Sequence, residues 1–163
     1  MRKSRLKGGV HRALVVAGAV FGVALLCAPV ASADGPVEVR TRLNGFCLAV
    51  FTVSMGVIYP CNGQKYQQWV FNPAGQIETA AEYVFLRGTC LTLTGPQDGA
   101  YVDMTPCRSI PNQLWTRQPN GQITNALGPC LAVGRGGSTT PKTPVIGFHC
   151  TANTPGQEWD IAP

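Results

Sequence analysis

The chain has 163 residues and a formal net charge of +5, and only 13% of its residues are charged. Five of the thirteen basic residues lie among the first twelve positions, which leaves eight basic residues against eight acidic ones in the remainder. Since this remainder is formally neutral, its charge predicts no binding to nucleic acid or to an anionic membrane. Its length is enough for one domain with its own hydrophobic core.

The N-terminal segment, residues 1–33, is predicted to be a secretory signal peptide. Its basic start is followed by an apolar run over residues 13–30, and Ala31 and Ala33 supply the small residues of a cleavage site. We expect cleavage after Ala33 and a secreted, extracytoplasmic mature domain, residues 34–163, without stable membrane insertion. The alternative is an uncleaved membrane anchor, because the apolar run has the length of a minimal transmembrane helix.

Three copies of one sequence unit follow the predicted signal peptide. Each copy has a Cys-Leu-x-Val or Cys-Leu-x-Leu sequence, then a second cysteine, then a Gln-x-Trp sequence. The first cysteines of the units are 43 and 40 residues apart, and the tryptophans are 46 and 44 residues apart. A period near forty residues that holds for cysteine, glutamine and tryptophan together indicates an internal repeat. The Gln-x-Trp residues are Gln67 and Trp69, Gln113 and Trp115, and Gln157 and Trp159.

Six cysteines follow residue 33, two in each unit. An even number in a chain predicted to be exported favours disulfides, and the repeat selects pairing within each unit. Each bridge would close a loop of about 15 to 20 residues and contribute roughly 3 kcal/mol. No metal site is predicted, since the chain has no CxxC spacing and His149 is the one histidine after residue 33. The predicted disulfides join Cys47 with Cys61, Cys90 with Cys107, and Cys130 with Cys150.

Short alternating runs predict an all-β domain. Val37, Val39 and Thr41 alternate with polar residues, which predicts a first strand with one solvent-exposed face. After the first cysteine of each unit, apolar residues keep a period of two, so the residue between them is expected to point to the opposite face. Four strands in each of three units predict twelve short strands with pseudo-threefold symmetry. The residues between the apolar positions are Ala49, Thr92 and Ala132.

The three units resemble the ricin B-type lectin domain, a β-trefoil that also occurs as a carbohydrate-binding module on secreted glycosidases. The resemblance covers residues 37–161 and rests on three Gln-x-Trp sequences in phase with three cysteine pairs. It implies a β-trefoil fold and a lectin-like function. We expect the glutamines and tryptophans to pack the core and satisfy backbone groups, so they support the fold and not sugar contact.

The resemblance also implies a shallow sugar-binding cup in each unit, and no unit of this chain has the complete set of residues. In the family, an Asp accepts hydrogen bonds from two sugar hydroxyls, an aromatic ring stacks on the sugar, and an Asn adds a polar contact. In units one to three, the Asp position holds Ala49, Thr92 and Ala132, the aromatic position holds Tyr59, Thr105 and Phe148, and the Asn position holds Tyr66, Asn112 and Gly156. The candidates for sugar contact are therefore Tyr59, Tyr66, Asp103, Asn112 and Phe148.

Two classes of function are compatible with this sequence. The first is a secreted carbohydrate-binding module with divergent, weak sites for a glycan or polysaccharide. The alternative is a trefoil scaffold for protein interaction or protease inhibition that does not bind sugar. Residues 134–144, rich in Gly, Ser, Thr and Pro, predict a flexible loop that such a partner could contact. No cofactor or catalytic residue is predicted, because the common catalytic motifs are missing and His149, beside a bridged cysteine, is interpreted as a surface or packing residue.

Overall fold

The computed structural model describes residues 35–51, 54–83 and 85–163. The predicted signal peptide, residues 1–33, lies outside the described residues, so its presence and cleavage stay predictions. In the described ranges, no helix combines the length and the hydropathy that crossing a membrane would require.

The described residues form twelve β-strands in three groups of four, which confirms the predicted all-β fold. In the first unit these are β1 (Val37–Thr41), β2 (Cys47–Phe51), β3 (Met55–Tyr59) and β4 (Gln68–Phe71). The second unit contains β5 (Ile77–Thr79), β6 (Thr89–Leu93), β7 (Ala100–Pro106) and β8 (Trp115–Arg117). The third contains β9 (Ile123–Asn125), β10 (Cys130–Val133), β11 (Thr143–Phe148) and β12 (Trp159–Ala162). A short 3-10 turn precedes the last strand of each unit, at Lys65–Gln67, Pro111–Gln113 and Pro155–Gln157.

The outer strands of the units form a barrel. Strand β1 pairs with β4 and with β12, while β4 pairs with β5 and β8 pairs with β9, all antiparallel. Backbone bonds from Trp115 N to Gly75 O (2.8 Å) and from Trp159 N to Gly121 O (2.9 Å) join the remaining neighbours. Closing the sheet in this way removes exposed strand edges.

The middle strands of the units form three hairpins, β2–β3, β6–β7 and β10–β11, that also pair with one another. Strand β3 pairs with β7, β7 pairs with β11, and β11 pairs with β3. These three pairings relate each unit to the other two in the same way. The hairpins therefore form a triangular layer, as the pseudo-threefold repeat predicts.

The tryptophans of the three units lie in the core. Trp69 has 0% of its surface exposed, and Trp115 and Trp159 have 5% and 2%. Each indole N–H donates to the carbonyl of the leucine that follows the first cysteine of its own unit, so burial leaves no donor unpaired. The acceptors are Leu48 at 3.0 Å, Leu91 at 2.8 Å and Leu131 at 2.9 Å.

The buried glutamine of each Gln-x-Trp sequence fixes the chain around the second cysteine. Gln67 accepts a bond from the backbone N–H of Asn62 (2.8 Å) and donates to the carbonyl of Pro60 (2.9 Å). The same two bonds recur at Gln113, with Arg108 and Pro106, and at Gln157, with Thr151 and His149. The amide suits this position because it offers an acceptor and a donor to opposite sides of one turn.

Three disulfides lie within the units, with the predicted pairing. Their Cα–Cα distances of 4.9 to 5.1 Å fall in the ordinary range for such bridges. The bridges join Cys47 with Cys61, Cys90 with Cys107, and Cys130 with Cys150.

Two local expectations differ from the structure. The first strand does not have a fully exposed polar face, because Glu38 is only 9% exposed and its carboxylate accepts bonds from Arg40. Glu38 pairs with Gln68 of β4 and with Ala162 of β12, so it lies inside the sheet and not at an edge, whereas Arg40 on the same face is exposed. The predicted loop at residues 134–144 is partly regular, since it begins with a tight turn, Gly134–Gly137, in which Arg135 and Gly136 have left-handed backbone angles, and ends inside β11.

Gly56 occupies a crowded position in the triangular layer. It pairs with Val50, whereas the equivalent pairs of the other units are Val102 with Leu93 and Val145 with Val133. A Cβ atom at Gly56 would lie 2.7 Å from a methyl carbon of Val145 and 3.2 Å from the carbonyl oxygen of Val102. A third valine beside Val102 and Val145 would therefore not fit around the pseudo-threefold axis. Gly56 is a position at which the first unit departs from the symmetry.

We expect Gly56→Ala to lower the free energy of unfolding by about 1–3 kcal/mol, because a stiff β-branched neighbour and the backbone must both move. Denaturant unfolding with the disulfides intact measures this change. Gly35→Ala is the matched control, since no heavy atom lies within 4 Å of a Cβ there, and we expect a change within about 0.5 kcal/mol. Equal stability of the two variants would contradict the crowding at Gly56.

Candidate functional site

Each hairpin packs against the 3-10 turn of its own unit, and we call the space between them the cup of that unit. The floor of the cup is the residue two positions after the first cysteine of the unit. Ala49 is 0% exposed, Thr92 6% and Ala132 4%. The three floors are therefore buried, and differences among the cups come from their walls.

The first cup has an aromatic wall. The ring of Tyr59 is stacked on Phe51, with centroids 6.4 Å apart and an interplanar angle of 18°. The ammonium group of Lys142, from the third unit, lies 4.1 Å from the Phe51 centroid, a cation–π geometry. Tyr66, on the adjacent turn, accepts a hydrogen bond from the amide of Asn62. In the described residues Tyr59 therefore stacks on Phe51 and not on Tyr66, and both candidates remain half-buried.

A second aromatic pair borders the first cup. Tyr83 and Phe85, in the loop between β5 and β6, have stacked rings with centroids 5.9 Å apart and are 54% and 57% exposed. An ion pair between Lys65 and Glu82 joins this loop to the 3-10 turn of the first unit. The sequence analysis did not predict these rings, because they lie outside every repeated motif. The sequence feature that could have indicated them is the presence of two aromatic residues close together in a loop.

The polar side chains of the second cup bond to one another. The hydroxyls of Thr92 and Thr105 are 2.7 Å apart, and Gln113 Nε2 donates to both, at 2.9 and 2.8 Å. Asn112 uses its amide N–H to bond the carbonyl of Leu93 at 3.1 Å. These groups satisfy each other, so few of them remain available to a ligand.

Asp103 places a carboxylate beside the second cup. It pairs directly with Thr92 across the β6–β7 hairpin, so the two side chains share a face. The side chain is half-buried, and this loss of hydration raises its pKa above the ordinary range. It forms no hydrogen bond or ion pair with another described residue, so both oxygens can accept bonds from a ligand.

The third cup is an open cavity of about 320 Å³. The ring of Phe148 lies on its wall, and the equivalents of the family's Asp and Asn are Ala132 and Gly156, which contribute no polar side chain. The apolar residues that line it are Leu43, Ala132, Val133, Ile146, Phe148 and Pro155, and the polar ones are Thr151, Thr154 and Gln157.

His149, next to the third cup, is held at the surface by Asp98. Its backbone N–H is 2.6 Å from one carboxylate oxygen, and its Nδ1 is 2.8 Å from the other. The hydrogen bond from His149 lowers the pKa of Asp98. This contact ties the β6–β7 loop to the third unit and agrees with a surface role for His149.

Within the described ranges, Glu38, Cys47 and Cys61 form a group with spacing compatible with a metal ion. The two sulfur atoms are joined in a disulfide. They are not thiolates, so the group lacks the ligands that a thiolate metal site needs.

Comparisons with known proteins agree with this fold. The family model for the ricin-type β-trefoil lectin domain matches residues 35–159. Uncharacterised proteins of Mycobacterium tuberculosis and Mycobacterium bovis are each 40% identical to this chain over 166 residues, which cover 100% of this chain and 100% of each relative.

Two solved structures share the architecture at lower identity. The designed threefold-symmetric protein ThreeFoil has a TM-score of 0.66 and 22% identity, and the match covers 80% of this chain and 99% of that protein. The ricin B-like lectin of Macrolepiota procera, solved in complex with lactose, has a TM-score of 0.63 and 22% identity, covering 78% of this chain and 95% of that lectin. These likenesses show the fold, and the family model spans most of the sequence. This chain belongs to the ricin-type β-trefoil lectin domain family.

Proposed function

We propose that this protein is a secreted carbohydrate-binding module and that its first cup is the glycan site. Family membership supports the class of function, and the related lectin of Macrolepiota procera is in complex with lactose. The observation that carries the assignment to the first cup is the stacked pair of Tyr59 and Phe51. A pyranose ring can lie on such a platform because both surfaces are apolar.

Polar groups beside the platform can orient a sugar. Asn62 and Tyr66 bond to each other but keep an amide N–H and a phenol O–H that can donate, and Lys142 offers an ammonium group over the Phe51 ring. Ala49 supplies no carboxylate to accept hydrogen bonds from two sugar hydroxyls. Each lost hydrogen bond to a charged group weakens binding by about 1.5–3 kcal/mol. The whole binding free energy of a millimolar site is only roughly 4 kcal/mol. The expected affinity is therefore weak, and a polysaccharide that reaches a second cup through Asp103 would bind more tightly than a monosaccharide.

Binding fits the chemistry of the cups better than catalysis does. Glycoside hydrolysis uses two carboxylates at a set separation. Of the described side chains assigned to the three cups, Asp103 alone carries a carboxylate. We therefore infer a module that holds a glycan without cleaving it.

We expect Tyr59→Ala to weaken glycan binding about tenfold, since it removes the stacking surface. The measurement is a screen against glycans and polysaccharides, made with the chain expressed in full, exported and purified with its disulfides intact. Tyr101→Ala is the matched control, because Tyr101 is 53% exposed and lies outside the first cup. We expect that control to bind like the wild type.

Two results would contradict the proposal. A folded wild-type protein that binds nothing in the screen would exclude a lectin function. Binding that survives Tyr59→Ala and is lost in Asp103→Asn would move the glycan site to the second cup.

The alternative function, a scaffold for protein contact or protease inhibition, is favoured by one observation. Tyr83 and Phe85 expose more than half of their surfaces as a stacked pair, and exposed aromatics are common at protein interfaces. A partner whose binding is lost in a Tyr83→Ser and Phe85→Ser double variant, together with silence on the glycan screen, would establish this alternative.

A further inference from the structure

The third cup differs from the second at the same two positions. The second cup has Thr92 on its floor and Asn112 on its turn, and their side chains are hydrogen-bonded within the cup. The third cup has Ala132 and Gly156 there. Two polar side chains are thus missing from the third cup, and nothing polar replaces them.

The space left by these side chains is large enough for a ligand. The cavity of about 320 Å³ is roughly twice the apolar cavity that holds a benzene molecule, and it reaches the lower end of the range for small-molecule pockets. One wall comes from a different unit, since Leu43 lies in the loop between β1 and β2. A Cβ atom at Gly137 would lie 3.8 Å from a methyl carbon of Leu43, so the two loops meet at the edge of the cup.

The lining of this cavity is mostly apolar and carries no charged side chain. The described residues around it include no Asp, Glu, Lys, Arg or His. The amide of Gln157 already accepts a bond from Thr151 N and donates one to His149 O, both at 2.8 Å. A sugar placed here would lose water from several hydroxyls without regaining their hydrogen bonds, which is costly.

Two hydroxyl groups remain as donors at the lining. Thr154 makes a long contact of 3.5 Å to the carbonyl of Ala152, and Thr151 is exposed. A matching ligand is neutral, mainly hydrocarbon, and carries an acceptor at one end. An ester of an aliphatic acid has this combination, because its carbonyl accepts a bond and its chain is apolar.

We propose that the third cup binds the acyl chain of a neutral ester, with the chain against Leu43, Ile146 and Phe148 and the carbonyl accepting from Thr151 or Thr154. This site is separate from the first cup. Either proposal can therefore fail while the other stands.

The test uses the protein expressed from the full chain, exported, and purified with its disulfides intact. It is titrated with methyl esters of increasing chain length, from butanoate to decanoate, and binding is measured by calorimetry and by NMR of the methyl groups. We expect affinity to rise about fourfold for each added methylene and to level off when the cavity is full. The free carboxylate of the same chain should bind at least tenfold more weakly, because its charge would be desolvated without a partner.

Gly156→Leu should reduce ester binding by more than tenfold. A Cβ atom at Gly156 would lie 3.9 Å from the Cβ of Val133, an ordinary contact, so the new side chain fills the cavity without straining the backbone. Ala126→Leu, at an exposed position outside the cavity lining, is the matched control and should bind like the wild type. Ala132→Thr, which gives the third cup the floor of the second, should also weaken binding and serves if Gly156→Leu does not fold.

An affinity that does not change with chain length would overturn the proposal. The proposal would also be overturned if a folded Gly156→Leu or Ala132→Thr variant bound the esters as tightly as the wild type does. Tighter binding of the free carboxylate than of the ester would overturn the neutral character of the ligand and, with it, the assignment.

Discussion

Trp69→Ala is expected to lower the free energy of unfolding by about 4–6 kcal/mol. Truncating a buried tryptophan costs about 3–5 kcal/mol in lost burial and cavity formation, and the carbonyl of Leu48 loses its indole partner at 3.0 Å. Since single domains are stable by only about 5–15 kcal/mol, most of the stability would disappear. Thermal and denaturant unfolding of the oxidised protein measure the change.

Trp69→Phe separates the two causes. It keeps an aromatic ring in the core and removes the indole N–H, so we expect a smaller loss of about 1–3 kcal/mol. A melting temperature of Trp69→Ala close to that of the wild type would show that this residue does not pack the core. Equal losses in the two variants would assign the whole effect to the hydrogen bond.

The fold could be predicted from the sequence because its strongest constraints repeat. In each unit, the tryptophan donates to the carbonyl of the residue after the first cysteine. The glutamine bonds to backbone groups on both sides of the second cysteine. Both contacts lie within one unit of about forty residues. Their spacing is therefore visible three times in the chain. The disulfides follow the same logic, since each closes inside its own unit.

The candidate sites could be predicted only in part, because their walls come from several units. Lys142 reaches Phe51 only because β11 pairs with β3, and Leu43 lines the third cup from the first unit. No local pattern contains these contacts. The position of Asp103 opposite Thr92 also required the hairpin register, and the cavity at Ala132 results from side chains that are missing.

Gln113→Leu is expected to lower the free energy of unfolding by about 2–4 kcal/mol. The apolar side chain fills nearly the same volume but leaves the N–H of Arg108 and the carbonyl of Pro106 without partners, and each such group costs about 1–3 kcal/mol when buried. The matched control is Gln68→Leu, in which a half-buried glutamine loses one long bond of 3.4 Å to Gly63. That change should stay within about 0.5 kcal/mol.

Denaturant unfolding of both oxidised variants gives the comparison, and equal stability would contradict a structural role for the buried amide. The second unit is the sensitive place for this test because the amide of Gln113 also donates to Thr92 and Thr105. In the other units the buried amide donates only to a backbone carbonyl. In the second cup, the hydroxyls of Thr92 and Thr105 therefore bond to a residue that also stabilises the fold. Gln113→Leu would both lower the stability of the domain and leave these hydroxyls available to a ligand.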